Sequence, residues 1–185
     1  MLAKTETQSQ IDELQRRGYS VIALCETAIG VQNAPDIAHH PAVTALMWGA
    51  EDLLASIGGR SSRLPNGSYR DVARAARARV LLAARVAGKL AIDAVHLDIS
   101  DLGGLAEEAE DAAASGFAAT ACIHPTQVPT VRNAYAPTDG ELQWAAEVIE
   151  ASRREPGVFS YAGRMIDEPI LRQARIILGH RSPNS

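Results

Sequence analysis

The stretch VIALCETAIG spans residues 21–30, and ALMWGAEDLL spans residues 45–54. Each begins as an apolar run of strand length and then meets acid: Glu26 in the first, Glu51 and Asp52 in the second. Apolar runs without alternation suit strands covered on both faces, as in a parallel sheet. A carboxylate where such a run stops belongs at the strand's mouth, because an unpaired charge inside the core is costly. In parallel α/β folds the C-terminal ends of the strands gather on one face, and sites are built there. The two stretches therefore predict α/β architecture, with Glu26 and Asp52 close together on neighbouring strands.

The alternation continues on both sides. MLAK (1–4) is a short strand candidate, and TQSQIDELQRRG is a helix with Ile11 and Leu14 on one face and Gly18 beyond its end. NAPDIAHH begins a short helix with Pro35 near its start. A loop rich in Gly, Ser and Arg, IGGRSSRLPNGS, precedes a long Ala- and Arg-rich helix over 69–87. AIDAVHLDI and AATACIHP read as further strands, separated by the helix LAEEAEDAAASG. DGELQWAAEVIEASRRE carries Leu142, Ala145, Ala146 and Ile149 on one stripe, and PILRQARIILGH is a final helix. The expected organisation is a barrel-type segment over 1–150 and a C-terminal lid or oligomerisation segment over 151–185.

The 185 residues are 46% hydrophobic but only 4% aromatic, so Ala, Val, Ile and Leu must build the core. A net charge of −4 with mixed signs gives no general nucleic-acid surface. The basic helix carrying Arg70, Arg74, Arg77, Arg79 and Arg85 reads as a solvated face. Cys25 and Cys122 each lie in an apolar run, which suits two buried thiols in a reducing compartment rather than a disulfide framework. No apolar stretch approaches the roughly 20 residues that span a membrane, and the N-terminus lacks a signal-peptide layout, so a cytoplasmic protein is expected. There is no G-x-G-x-x-G and no Walker loop, which weighs against nucleotide-binding doubly wound folds.

Polar residues fall where a site would form. Lys4, Glu26, Asp52, Asp98 and His124 each lie at or just past the end of a strand candidate. Two carboxylates with few cations near them in sequence suit a hard divalent cation such as Mg²⁺. Each acid alone has an ordinary explanation: Glu26 as a loop residue, Asp52 as a first-turn acid of the helix that follows. Their pairing on consecutive strands singles them out. His96 reads as a packed histidine rather than a ligand. Arg60 and Arg63 are candidate phosphate partners, set against the commoner reading of solvated loop arginines.

VIALCETAIGVQNAPDIA, LMWGAEDLLASIGG, AGKLAIDAVHLDISDLGGLAEEAEDAAASGF and CIHPTQVPTVRNAYAPT resemble, in order, blocks of the citrate lyase β-subunit-like proteins. These form part of the HpcH/HpaI aldolase and citrate lyase superfamily, and the resemblance runs from about Met1 to Leu178. It implies a (β/α)₈ TIM-barrel fold, bound Mg²⁺, and carbon–carbon cleavage of citryl-, citramalyl- or malyl-CoA type thioesters. It implies Glu26 and Asp52 as metal ligands, with the metal also holding substrate oxygens and stabilising a developing enolate. Main-chain groups of Gly49, Ala50 and Glu51 resemble those that hold the substrate carboxylate beside Glu26. GRMIDEP matches a C-terminal block whose aspartate, here Asp167, acts as acid/base in a neighbouring subunit's site. A homo-oligomer of trimer type follows from that.

A complete barrel of this type takes about 250 residues. Only about five of the eight βα units are expected here, because family members place three strands before the block that MLAK resembles. Those units carry an arginine for the substrate carboxylate and acids near the metal. Position 3 is Ala where the family commonly has Pro. The expectations are a fragment of a longer chain, a short paralogue without catalysis that binds CoA esters or assists assembly, or a barrel completed by another chain. An open barrel exposes strand edges, so oligomerisation or poor solubility is expected. Aldol chemistry on free oxo-acids is a further, weaker expectation.

Overall fold

The computed structural model describes residues 1–155 and 157–179. The chain forms two compact units, Met1–Arg132 and a second that begins at Asn133. The 150/151 division expected from the sequence lies inside a helix, Asp139–Arg154.

The first unit alternates strands and helices: α1 (Ser9–Arg16), β1 (Val21–Cys25), α2 (Ala28–Gln32), α3 (Ala34–His39), β2 (Val43–Trp48), α4 (Ala50–Ser56), α5 (Asp71–Val86), β3 (Leu90–Asp93), α6 (Leu102–Ser115) and β4 (Ala119–Thr120). α7 (Gln127–Tyr135) follows. The strands form one parallel sheet in the order β1-β2-β3-β4. Sequential strands are thus neighbours, as in an arc of a (β/α)₈ barrel, and the barrel is not closed among the described residues.

MLAK contributes less than a strand. Leu2 makes an isolated parallel bridge to Ala23, and Thr5 N–H donates to the Leu24 carbonyl at 3.0 Å. The expected strands AIDAVHLDI and AATACIHP are also trimmed, to four residues and two. Side chains capture the backbone that a longer ladder would have used. Gln127 Oε1 accepts the N–H groups of Ile123 and His124, while its Nε2 donates to the His96 carbonyl at 2.9 Å. Asp98 closes its own turn by accepting from the Ser100 N–H at 2.9 Å.

The core is aliphatic. Ile11, Ile37, Val43, Leu46, Val80 and Leu105 are fully buried, and the buried face of α5 is mostly alanine, which lets the helix lie close to the sheet. Of the arginines expected to form a solvated face, Arg70, Arg74, Arg79 and Arg85 are exposed, and Arg77 departs from it by being half-buried. Arg77 grips Asp93 and Asp111, Arg79 donates to the carbonyls of Val31 and Gln32, and Arg85 donates to the Gly116 carbonyl. From this face their long stems also reach polar groups of neighbouring elements. α6 is bounded by Asp101, which accepts the Gly104 N–H at 2.8 Å, and by Gly116 at φ 101°.

In the second unit α8 (Asp139–Arg154) opens on a reciprocal capping box between Thr138 and Glu141. β5 (Phe159–Tyr161) and β6 (Arg164–Ile166) form an antiparallel hairpin, and α9 (Glu168–Gly179) closes the unit. Ala145, Val148, Phe159, Ile166, Leu171 and Ala174 make its core. The hairpin turns at Ala162 (φ 47°) and Gly163 (φ 76°), a pair of left-handed residues typical of a two-residue turn. Alanine is a poor occupant of that conformation. Ala162→Asn, which creates the favoured Asn-Gly turn, should stabilise this unit by about 0.5–1 kcal/mol. Urea unfolding checks this, and an unchanged or lower midpoint would contradict it.

Candidate functional site

β1 and β2 run in parallel with Cys25 level with Trp48. The next residue on each strand is therefore Glu26 beside Gly49, at the mouth of the sheet. Glu26 is buried, with 6% of its surface exposed, and Gly49 makes room for it. A Cβ at position 49 would lie 3.0 Å from both Cβ and Oε2 of Glu26. Gly49 then leads into α4, whose first turn carries Glu51 and Asp52. Acids here complement the free N–H groups of a helix start.

Lys4 completes the cluster. Its backbone is left-handed, with φ 49°, and its N–H donates to Glu26 Oε1 at 3.1 Å. Its ammonium Nζ lies 3.3 Å from Asp52 Oδ1. Burial pushes the Glu26 carboxyl above its ordinary range, the Lys4 N–H works against that rise, and the nearby Asp52 charge adds to it. The structure thus gathers Lys4, Glu26 and Asp52. Two neighbouring carboxylates, one buried and one half-exposed, fit a hard cation that prefers oxygen donors and keeps several waters. Among the described residues no group of three or more His, Cys, Asp or Glu side chains could hold a metal, so these residues supply two protein donors only.

Other sequence candidates have different roles. Asp98 and His124 are exposed and sit in local turns, His124 Nδ1 lying 2.8 Å from Thr126 Oγ1. Glu51 accepts a 2.5 Å hydrogen bond from the buried Ser62 hydroxyl. Arg63 is neither solvated nor free for phosphate: it pairs with Glu108, and its guanidinium lies 4.0 Å over the Tyr69 ring. Asp167 Oδ1 accepts the Ile170 N–H at 3.3 Å at the start of α9. Cys25 is buried as expected, but Cys122 is exposed because β4 ends before it. Burial, with Glu26 adding to it, pushes the Cys25 thiol up to about 12.

Two buried polar clusters had no clear signal in the sequence. Trp48 Nε1 donates to Asp93 Oδ1 at 2.5 Å, and Arg77 grips the same carboxylate through Nε and Nη2. Trp48 also meets Tyr69 edge-on at 5.2 Å between centroids. Next to these, His96 Nδ1 lies 2.9 Å from Glu108 Oε2, so the packing expected for His96 is observed together with a carboxylate partner. Tyr69, Arg77, Asp93, His96 and Glu108 line a cleft of about 860 Å³, and the Glu26–Asp52 pair lies outside it.

Residues 3–125 match the family model described as HpcH/HpaI aldolase/citrate lyase. The chain belongs to that family. A citrate lyase subunit beta-like protein of Mycobacterium tuberculosis is 53% identical over 178 residues, which are 96% of this chain and 64% of that protein. The mitochondrial citramalyl-CoA lyase of Mus musculus is 35% identical over 172 residues, covering 86% of this chain and 49% of the lyase. The crystal structure of the M. tuberculosis protein CitE, in complex with magnesium, acetoacetate and coenzyme A, matches with a TM-score of 0.93 and 53% identity. It covers 97% of this chain, which in turn spans 67% of CitE. This family member therefore spans about half to two thirds of the relatives it matches.

The Arg63–Glu108–His96 cluster has a consequence for acid stability. Burial raises the Glu108 carboxyl, but hydrogen bonds from Arg63 and His96 outweigh it and hold the group below its ordinary range. A depressed carboxylate stabilises the fold fully above its unfolded-state pKa and loses that contribution as pH falls through the folded value. Glu108→Gln should destabilise the protein at pH 7 and flatten its stability profile between about pH 5 and pH 3. Denaturant melts across that range check this; parallel profiles for both proteins would contradict it.

Proposed function

We propose that this protein is a Mg²⁺-dependent carbon–carbon lyase acting on a hydroxyacyl-CoA thioester of the citryl, citramalyl or malyl type. The observation that carries the reading is the pairing of Glu26, just past β1, with Asp52, in the first turn of the helix that follows β2, in a family that includes citrate lyase. The magnesium, acetoacetate and coenzyme A bound to the related CitE support the metal and the ligand class.

In this reading Glu26 and Asp52 hold Mg²⁺. Burial of Glu26 keeps its carboxylate in one place, and the absent side chain at Gly49 leaves room for it. When bound, the metal would supply Lewis-acid stabilisation of negative charge on ligand oxygens. The first-turn N–H groups of α4, through Gly49, Ala50 and Glu51, hold a substrate carboxylate, since a helix start offers donors without intrahelical acceptors. Ser62 fixes the Glu51 side chain and so steadies that turn. Asp167 moves a proton as acid/base in the site of a neighbouring copy, which makes the working form a homo-oligomer of trimer type. The 3.3 Å hydrogen bond that its Oδ1 accepts from the Ile170 N–H fixes the carboxylate at the start of α9.

A second reading is a subunit that binds CoA esters or assists assembly without turnover. The presence of only two metal-binding carboxylates among the described residues favours it.

Cleavage of citramalyl-, malyl- and citryl-CoA, with and without Mg²⁺, separates the two. Lyase function predicts metal-dependent release of the CoA thioester product, and a loss of about 100-fold in kcat/KM for Glu26→Gln or Asp52→Asn. Binding of a CoA ester without turnover would support the second reading. Asp167→Asn should lower kcat while leaving Mg²⁺ affinity unchanged; a parallel loss of metal affinity would place Asp167 elsewhere in the mechanism.

A further inference from the structure

Lys4 has three features that an ordinary surface lysine lacks. Its backbone is left-handed, which a side-chain-bearing residue adopts only when its surroundings enforce it. The enforcement is visible: Leu2 and Thr5 are tied to β1 on either side, and the Lys4 N–H itself is spent on Glu26. The side chain emerging from that backbone then places its ammonium 3.3 Å from Asp52, the other member of the pair. One residue thus contacts both carboxylates, one through main chain and one through charge. Asp52 and Lys4 are both more than half exposed, so the ammonium is free to leave without uncovering a buried charge.

We infer that the Lys4 ammonium is the resident counter-ion of the carboxylate pair: it gives way when a divalent cation binds and then serves as a partner for an anionic ligand at the loaded site. This rests on the metal reading given above. A mobile cation on a flexible stem suits the task, because it can neutralise Asp52 in the empty site and an organic carboxylate in the loaded one. The two roles have opposite signs. In the empty site Lys4 opposes the metal; in the loaded site it attracts the ligand.

That crossing of signs gives the test. Isothermal calorimetry would measure Mg²⁺ binding to the full chain and then oxalate binding at saturating Mg²⁺, for the wild type, Lys4→Met, Lys4→Gln, Lys4→Arg and Asp52→Asn. Neutral variants keep the backbone N–H to Glu26 and remove only the charge. Lys4→Met and Lys4→Gln should bind Mg²⁺ about two- to five-fold more tightly and oxalate more weakly by a similar factor, as fits an exposed ion pair. Lys4→Arg should stay near the wild type in both. A structural role alone would move both affinities the same way or neither, and either result would overturn the inference while leaving the metal assignment standing. Absence of Mg²⁺ binding in the wild type, or binding unaffected by Asp52→Asn, would overturn the metal assignment and this inference with it.

Discussion

The register of β1 against β2 is the constraint on which the site depends. With Cys25 level with Trp48, the two strands stop together, and their next residues must share the space at the sheet's end. Parallel pairing with both faces covered leaves no other outlet for charge than the strand ends. A slip of one residue would turn Glu26 toward the opposite face and bury its charge without Asp52 or the Lys4 N–H. The need to satisfy Glu26 and the burial of Leu46 and Trp48 therefore select the same register. Architecture and chemistry are fixed by one set of contacts.

The second level of order lies behind that register. Trp48 is the last residue of β2 and immediately precedes the Gly49 turn. Its indole is held from the β3 side by Asp93, which Arg77 neutralises, and from the loop side by Tyr69. A buried acid paired with arginine adds little net stability compared with an apolar substitute of the same shape. What it adds here is direction: an indole with one N–H has one acceptor to point at. The turn that carries Glu51 and Asp52 thus leaves β2 from an anchored residue.

Much of this was legible in the sequence. The apolar runs ending in Glu26 and in Gly49–Asp52 identified both strands and the acidic pair, because the period and the position of the charges agree. Helix limits were legible where caps are explicit, as at Thr138–Glu141 and Gly116. The lengths of β3 and β4 were not, since Gln127 and Asp98 take over backbone partners from outside the strands, and no local pattern announces that. Arg77 departs from the solvated face of α5 because spacing shows which face a residue occupies but not how far its side chain reaches. The β5–β6 hairpin escaped notice because its turn uses Ala162–Gly163 instead of a typical turn pair. Asp167 was recognised through family resemblance alone, and its place at the start of α9 explains it equally well as a cap.

Cys25 carries a last consequence. It directly precedes Glu26, and a thiolate beside a carboxylate pair is a donor that zinc or copper would favour. Burial and the adjoining carboxylate instead keep this thiol protonated, with its pKa at about 12. At neutral pH the protonated thiol dominates over the thiolate, the form that binds metals. The thiol is buried, and the groups gathered at the strand mouth are the carboxylates of Glu26 and Asp52 with Lys4. Burial of that one side chain leaves the open face of the cluster to oxygen and ammonium groups.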